Sequence, residues 1–372
     1  MREQWIFHAI DTLFFRDGTP FQLGEPGAML PRSHFPPTFM TLQGAVRMAL
    51  AKRHGWRKGK EWPHELGSTK DLGQLQITGP YLRYKNKILY PAPSVLFSHR
   101  EDAPLVRLSP GLPVDCDLGA QIRLPQLPSG QKGGAPLQAW LTRQGMEAVL
   151  AGEVPTQEQI FRPHQLWQEE LRVGIGRDQA TRTTNDGELY SIYQVRPATE
   201  LEIVVDIDNI PDGCTFIKSD IISLGGEGRA ASISIHQATS TPLPSLPKLN
   251  PSGNGWIYYT LSLLNSSDVK NLDQAIKSGQ VETEHPIPGE CISASIGKLV
   301  QAGGWDSENK QSRPLKPLLP SGSTWFFRAR HTEQKQIEAL HGTLCGSKSL
   351  WGQGQLVVGT WSEQEDFINE QQ

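Results

Sequence analysis

The spacing of apolar residues along the chain predicts strands interrupted by a few helices. A run of strand-forming residues from Trp5 to Ile10 predicts a first strand, and a turn-rich stretch follows it. After two consecutive prolines, apolar residues recur at the spacing of one helix face until Gly55 stops the pattern. The residues of this stripe are Phe39, Leu42, Val46, Ala49 and Leu50. We therefore expect a helix between residues 38 and 55.

The middle of the chain has a different composition. Residues 56–165 are dense in proline and glycine, with short strand-like pieces and one short helix near residues 137–150, which indicates a loop-rich insertion in a core fold. Residues 171–207 are rich in strand-forming residues. A polar stretch from Arg177 to Gly187 separates two apolar stretches there, so residues 171–196 predict a projecting hairpin with Arg177 and Arg182 at its tip.

A proline-rich segment divides the chain. Four prolines stiffen residues 242–255 and mark a linker. Beyond it we expect strands at residues 256–261 and 324–328 and a short amphipathic helix near residues 334–340. The expected organisation is an N-terminal domain, residues 1–241, followed by this linker and a C-terminal domain, residues 256–372.

The charge of the chain limits how it can bind nucleic acid. The 372 residues carry a formal net charge of −3, which argues against a protein that grips nucleic acid with its whole surface, so any RNA contact must be local. The four cysteines form no C-x-x-C pair, and no stretch has the length and apolar character of a membrane span. These features predict a cytoplasmic protein with no membrane association, no metal site and no cofactor.

Two glycine-rich stretches are candidate phosphate sites, and the first contains Gly225, Gly226, Gly228 and Arg229. It formally fits the dinucleotide pattern G-x-G-x-x-A, but residues 232–235 alternate like a strand where a dinucleotide site needs a helix. Closely spaced glycines still let backbone N–H groups approach an anion, and Arg229 adds a planar donor. A tight turn between two strands is the alternative.

The second glycine-rich stretch contains Gly346, Lys348, Trp351, Gly352 and Gly354. It lacks a Gly-Lys-Ser/Thr triplet, so the sequence does not predict ATP binding by a P-loop. A glycine loop with one lysine and one aromatic residue suits a backbone contact combined with stacking on a base. A plain β-turn is the alternative.

Four single residues complete the candidates. Arg16, after the first strand, and Arg47, on the flank of the helix stripe, are positioned for phosphate contacts or, alternatively, for ion pairs. No nucleophile elbow, zinc-protease or deaminase motif is present. His8 and His34 are a candidate acid–base pair for metal-independent RNA cleavage, although a lone histidine beside a strand is more often structural.

Five sequence blocks are spread in order along nearly the whole chain: LFFRDGTPF at 13–21, TLQGAVR at 41–47, LGGEGR at 224–229, GGWD at 303–306 with RPLKP at 313–317, and PSGSTWFF at 320–327. Together they resemble the third-subunit family of the type III-B Cmr complex, in the RAMP superfamily of CRISPR proteins. One departure is Ser321, where the family has a different small residue.

The resemblance implies an α+β fold with two ferredoxin-like (RRM-like) domains, antiparallel sheets and large loop-rich insertions. It also implies a non-catalytic subunit of a ribonucleoprotein for antiviral defence, which binds the 5′ handle of the guide RNA (crRNA). The implied protein partners are the large palm-domain polymerase subunit and the adjacent backbone RAMP subunit. Residues 173–190 resemble the thumb-like hairpin that these proteins press against the guide.

Three alternatives remain open from the sequence. The first is a RAMP endoribonuclease that matures guide RNA, the second is the equivalent subunit of a type III-A complex, and the third is an adaptor that contacts only proteins. The interpretation that we favour is the handle-binding scaffold, in which Arg16, Arg47, Arg229 and Lys348 neutralise phosphate groups.

Overall fold

A computed structural model describes residues 2–17, 30–68, 71–101, 103–117, 119–178, 180–213, 219–238, 241–248, 255–260, 264–265, 287–306, 311–328 and 330–362. The described strands are β1 (Glu3–Ala9), β2 (Gln76–Tyr84), β3 (Lys87–Pro91), β4 (Leu96–Ser98), β5 (Val106–Arg107), β6 (Ser109–Cys116), β7 (Gly119–Gln126), β8 (Ala135–Pro136), β9 (Trp140–Thr142), β10 (Ile160–Phe161), β11 (Trp167–Arg177), β12 (Thr184–Pro197), β13 (Leu201–Asp208), β14 (Ser219–Ser223), β15 (Ala230–Gln237), β16 (Gly255–Thr260), β17 (Leu264–Asn265), β18 (Glu290–Ser295), β19 (Val300–Ala302), β20 (Trp305–Asp306), β21 (Gln311–Ser312), β22 (Lys316–Leu319), β23 (Thr324–Arg328) and β24 (Leu356–Trp361).

The described α-helices are α1 (Phe39–Arg53), α2 (Arg143–Leu150), α3 (Pro163–Leu166) and α4 (Gln334–Ala339). Single 3-10 turns occur at His64–Leu66, Gln157–Gln159, His331–Glu333 and Ser349–Trp351. No helix in these described ranges has both the length and the apolar character needed to cross a membrane.

The chain divides into two compact units, each assembled from three separate segments. Unit 1 comprises residues 1–85, 164–239 and 301–316, and unit 2 comprises residues 86–163, 240–300 and 317–372. The predicted division at residues 242–255 stays a prediction. Within that segment the described part, residues 242–248, has no regular secondary structure, and Pro242 accepts a hydrogen bond from the Tyr90 hydroxyl of unit 2 at 2.8 Å.

The sheet of unit 1 is antiparallel and has the order β2-β13-β1-β15-β14. Trp5 and Phe7 of β1 are buried on one side, where they lie opposite Val205 and Ile203 of β13. Helix α1 contacts β2 and β14. The predicted first strand and first helix are confirmed within two residues at each end, because the apolar run Trp5–Phe7 of β1 is buried throughout and the stripe of α1 corresponds to a buried face.

A two-stranded hairpin belongs to unit 1. Strands β11 and β12 pair without interruption from Trp167–Pro197 to Ile175–Leu189, and one irregularity follows before Arg177. The predicted hairpin at residues 171–196 is therefore confirmed, and it is longer at its base than the sequence pattern indicated.

Unit 2 has its own core. A four-stranded antiparallel sheet has the order β18-β23-β16-β24. The buried residues of this core include Trp256, Cys291, Trp325, Phe327, Ile337, Leu356 and Val358. In another part of unit 2, β10, β9 and β3 pair beside α2, whose first turn is capped by Thr142. The predicted helix near 334–340 is confirmed as α4, and the helix predicted near 137–150 is observed as α2, which begins only at Arg143 because residues 140–142 form β9.

The described architecture is mostly sheet and agrees with the expected α+β class. Four strands of each unit have the ferredoxin-like order, in which the first strand in the chain is third in the sheet. The orders are β2-β13-β1-β15 in unit 1 and β18-β23-β16-β24 in unit 2. In unit 2, α4 lies between β23 and β24 in the chain, as that fold requires. The expectation of two complete ferredoxin-like domains stays a prediction.

Candidate nucleic-acid interface

The first glycine-rich stretch forms the loop between β14 and β15, residues 224–229. Leu224 N–H donates to Arg229 O at 2.9 Å, and Gly226 N–H donates to Phe14 O at 2.8 Å. Gly225 has φ +82°, and a Cβ there would lie 2.4 Å from Phe14 O, so only glycine fits. Because the loop is followed by strand β15, the structure agrees that this is not a dinucleotide site.

Five charged residues meet beside this loop, and we call them the arginine cluster: Arg172, Arg196, Arg229, Asp11 and Glu170. Asp11 accepts hydrogen bonds from Arg229 Nη1 on Oδ2 and from Arg196 Nη2 on Oδ1, each at 3.0 Å. Glu170 pairs with Arg196 Nε and Arg172 Nη2, each at 2.5 Å. The cluster joins the segment after β1, both hairpin strands and the glycine loop.

Register explains why these residues meet. Glu170 and Arg172 alternate along β11, and their opposite residues in β12 are Gln194 and Ile192, so they share a hairpin face with Arg196. Thr12 fixes the segment after β1 to that face, because its hydroxyl donates to Gln194 Oε1 at 2.6 Å. Asp11 thereby lies next to all three arginines.

The two carboxylates of the cluster stay ionised. The backbone N–H of Thr12, followed by the Arg196 guanidinium, lowers the pKa of Asp11. The hydrogen bond from Arg196 lowers the pKa of Glu170. The cluster is therefore a network of full charges at neutral pH.

The opposite face of the hairpin is apolar and exposed. Val173 and Leu189 are each 63% exposed, and Leu171 and Ile175 are 49% exposed. At the tip, Arg177 is exposed and donates from Nε and Nη2 to Arg182 O, at 3.2 and 3.0 Å, which closes the turn. Arg182 is exposed as well, so the structure leaves both predicted tip arginines at the surface.

Arg16 and Arg47 have different environments. Arg16 is exposed and forms an isolated β-bridge with Ser33. Arg47 is only 7% exposed, and its guanidinium donates to Leu66 O and Ser68 O, each at 2.7 Å, as well as to Gln43. The structure therefore corrects the expectation for Arg47, whose nitrogen atoms hold the loop after α1 and do not face a phosphate.

The second glycine-rich stretch lies in unit 2, between α4 and β24. Gly346, Gly352 and Gly354 all have positive φ, which only glycine adopts at low cost. Trp351 is 4% exposed, and Lys348 Nζ lies 4.3 Å from its ring centroid. The expected base stacking on Trp351 is not supported, because the ring is buried and the ammonium group covers it.

The candidate acid–base pair is not assembled. His34 is half-buried, its partial burial lowers its pKa, and its Nδ1 lies 3.1 Å from Pro36 O. His8 instead lies between Glu202, 3.2 Å from Nδ1, and the Ser234 hydroxyl, 3.3 Å from Nε2. Ser234, His8 and Glu202 have the order of a nucleophile, a base and an orienting acid. The strands that carry them, β15, β1 and β13, are paired with one another through their backbones.

The sequence did not predict Asp11, Glu170, Arg172 or Arg196 as site residues. They lie far apart in the chain and share no local motif, so only the pairing of β11 with β12 and the docking of the segment after β1 bring them together. The alternation of Glu170 and Arg172 on a strand with an apolar opposite face was the one available signal.

No curated protein matches the chain. A chain of the cryo-EM structure of a type III-B Cmr-beta complex, bound to cognate target RNA and AMPPnP, is similar in fold at 17% identity and a TM-score of 0.53, with 91% of this chain and 88% of that chain covered. A chain of the complex bound to cognate target RNA is similar at 18% identity and a TM-score of 0.51, covering 87% and 86% of the two chains.

A family model decides the relationship. The model described as CRISPR-associated protein (Cas_Cmr3) matches residues 5–361, which include most of each compact unit and every residue of the arginine cluster. The resemblance noted in the sequence blocks is thereby confirmed. The chain belongs to the Cas_Cmr3 family of CRISPR-associated proteins.

Proposed function

We propose that this chain is a non-catalytic, guide-RNA-binding subunit of a type III-B effector complex that serves antiviral defence. It holds the 5′ handle of the guide RNA and docks the large palm-domain subunit and the adjacent backbone RAMP subunit. The observation that carries the proposal is the meeting of three elements in unit 1. The glycine loop, the hairpin base and the segment after β1 converge on three arginines.

Charge distribution supports a local RNA contact. The chain has a formal net charge of −3, yet the arginine cluster has three guanidinium groups against two carboxylates. Backbone phosphates supply most of the affinity of proteins for RNA, and guanidinium groups match them well. Arg16, Arg177, Arg182 and Lys348 extend the proposed contact set.

The hairpin contributes a second kind of contact. Its outer face combines exposed aliphatic side chains with two arginines at the tip. Single-stranded RNA offers base faces and phosphates together, so a surface of this composition suits it. The two structurally similar chains come from complexes bound to target RNA, which is consistent with a place beside RNA.

Charge reversal tests the proposal against the protein-only adaptor. In the complex reconstituted with its partner subunits, Arg229→Glu and Lys348→Glu should each weaken binding of guide RNA and make the salt dependence less steep. Lys52→Glu, an exposed reversal on α1, is the control. If both variants bind RNA with wild-type affinity and salt slope, the adaptor is the better account.

A guide-RNA endoribonuclease is the second candidate, and the contact of His8 with Glu202 and Ser234 is the observation in its favour. His8→Ala distinguishes the two functions. The scaffold predicts that neither the wild-type chain nor the variant cleaves a repeat RNA. Cleavage by the wild-type chain that His8→Ala abolishes would establish the nuclease instead.

A further inference from the structure

The arginine cluster has hydrogen-bond donors that its own carboxylates do not use. Arg172 Nε and Arg229 Nε are buried and have no acceptor among the described residues. Buried polar groups in folded proteins are normally hydrogen-bonded, so an orphaned guanidinium nitrogen indicates an acceptor that the chain does not supply. Two such atoms in one cluster indicate an oxygen-rich ligand.

The charge of the cluster indicates that this ligand is an anion. Three guanidinium groups face two carboxylates, which leaves one positive charge. A phosphodiester carries one negative charge and presents two anionic oxygen atoms. It would balance the cluster and accept from the planar N–H donors of arginine.

Asp11 holds the position that such an anion would take. Its two oxygens each accept from a different arginine, Oδ1 from Arg196 and Oδ2 from Arg229, and Arg172 Nη2 lies 3.7 Å from Oδ2. The side chain is 46% exposed and lies in the segment after β1. It can therefore leave the arginines without opening the core.

Glu170 differs from Asp11 in its place in the fold. It lies within strand β11, beside Arg172 on the same hairpin face, and pairs with both Arg172 and Arg196. The pairing of Glu170 with Gln194 holds its backbone in place, whereas Asp11 lies outside the strands. Glu170 keeps the two hairpin arginines aligned whether or not Asp11 is engaged.

We propose that Arg172, Arg196 and Arg229 form a phosphodiester site that Asp11 occupies when no RNA is bound, and that a phosphate group of the RNA displaces Asp11. This inference rests on the proposed function, because the phosphate comes from the guide RNA. Asp11 then lowers the affinity of the site for any single anion. Binding occurs only where further contacts along the strand contribute to displacing the carboxylate.

The test uses the full chain in the reconstituted complex, titrated with a fluorescein-labelled guide RNA at several salt concentrations. Asp11→Asn removes the competing charge and should tighten RNA binding about threefold, the effect of one exposed ion pair. Asp212→Asn, which removes an exposed charge from the turn after β13, should leave the affinity unchanged. Arg196→Gln and Arg229→Gln should each weaken binding and make the slope of log affinity against log salt shallower by about 0.7.

A double variant makes the test specific to this site. If Asp11 acts by occupying the arginines, Asp11→Asn should give no gain in the Arg196→Gln/Arg229→Gln background. Thermal melting of each variant shows whether it is folded. If Asp11→Asn is not folded, the arginine variants test the phosphodiester site. Their salt slopes, compared with that of Asp212→Asn, then carry the result.

The outcomes separate this inference from the proposed function. One outcome is that the wild-type complex binds RNA and that Asp11→Asn, Arg196→Gln and Arg229→Gln all bind it with the affinity of the control. This outcome would overturn the phosphodiester site and leave the RNA-binding function standing. Failure of the wild-type complex to bind guide RNA through this chain would overturn both.

Discussion

Asp206 is a carboxylate in the middle of the unit 1 sheet, and its environment has a measurable effect on stability. The residue is fully buried, Oδ1 accepts from Gln4 Nε2 at 3.0 Å, and Oδ2 has no partner among the described residues. Burial raises the pKa of Asp206 to about 6. Because its pKa is higher in the folded protein, Asp206 keeps its proton there at pH values at which the unfolded chain has already lost it. The free energy of unfolding therefore falls as pH rises through 6.

Asp206→Asn should therefore stabilise the protein at neutral pH and flatten its pH dependence. Between pH 7 and pH 4 the wild-type free energy of unfolding should rise by about 2 kcal/mol because of this one group. Urea unfolding at several pH values measures the effect. The control Asp212→Asn, in an exposed turn, should keep the wild-type slope. An unchanged slope in Asp206→Asn would contradict the prediction.

Gly225 and Gly228 allow a matched test of the glycine loop. Both have positive φ, but a Cβ at Gly225 would lie 2.4 Å from Phe14 O, whereas a Cβ at Gly228 meets nothing within 4 Å. Gly228→Ala should cost about 1 kcal/mol from backbone strain, and Gly225→Ala should cost at least about 2 kcal/mol because Phe14 must also move. Equal losses in urea unfolding would show that the contact with Phe14 is not important.

At the residue scale, sequence identified the glycine loop because positive φ and close approach demand glycine within a short stretch. It did not identify the partners of Arg229. Asp11 and Arg196 are 185 residues apart in the chain, and their contact depends on how β12 docks on the segment after β1. It also assigned Arg47 to the surface, because a helix-flank position does not reveal that Leu66 and Ser68 return to cover it.

At the scale of elements, Arg47 connects helix α1 to the loop that follows it. Its guanidinium is buried and donates to two backbone carbonyls. Arg47→Met keeps most of the aliphatic stem but leaves those carbonyls without donors, so it should lower the free energy of unfolding by about 2–4 kcal/mol. Lys52→Met, an exposed change in the same helix, should have an effect within about 0.5 kcal/mol. A neutral Arg47→Met would contradict the structural role.

The outer face of the hairpin is expected to serve binding and not folding. Val173 and Leu189 are exposed, so Val173→Ser/Leu189→Ser should leave thermal stability nearly unchanged and reduce crosslinking of guide RNA. Ile221→Ser, at 65% exposure on β14, is the matched control and should retain crosslinking. Loss of stability in the double variant would argue against this role, as would equal crosslinking in the wild type, the double variant and Ile221→Ser.

Elements with a clear periodicity were predictable, and those without one were not. Helix α1 and strand β11 follow patterns of buried and exposed residues that their sequences display, and β23 is a short run of consecutive buried residues. Strand β6 has the sequence SPGLPVDC, in which glycine and prolines hide any alternation. Its pairing with β7 is determined by tertiary context, as are the short strands β4, β5 and β8 of the same region.

At the scale of the whole molecule, chain order and spatial order differ. Each compact unit draws on three segments, so residues 86–163, most of the insertion predicted at residues 56–165, belong to the same unit as β16, β23 and β24, whereas residues 56–85 belong to the other unit. Composition predicts a boundary at the proline-rich segment, but it does not show which distant segments share a core. The family match over residues 5–361 treats both units as one protein.

The central claim is that this subunit holds the 5′ handle of the guide RNA. The most direct measurement is to purify the tagged chain with its partner subunits and to irradiate the complex with a guide RNA labelled in its 5′ handle. The account predicts a crosslink between this chain and the handle, with the RNA intact, and its loss in Arg196→Glu/Arg229→Glu. An intact complex in which the handle crosslinks only to other subunits would contradict it.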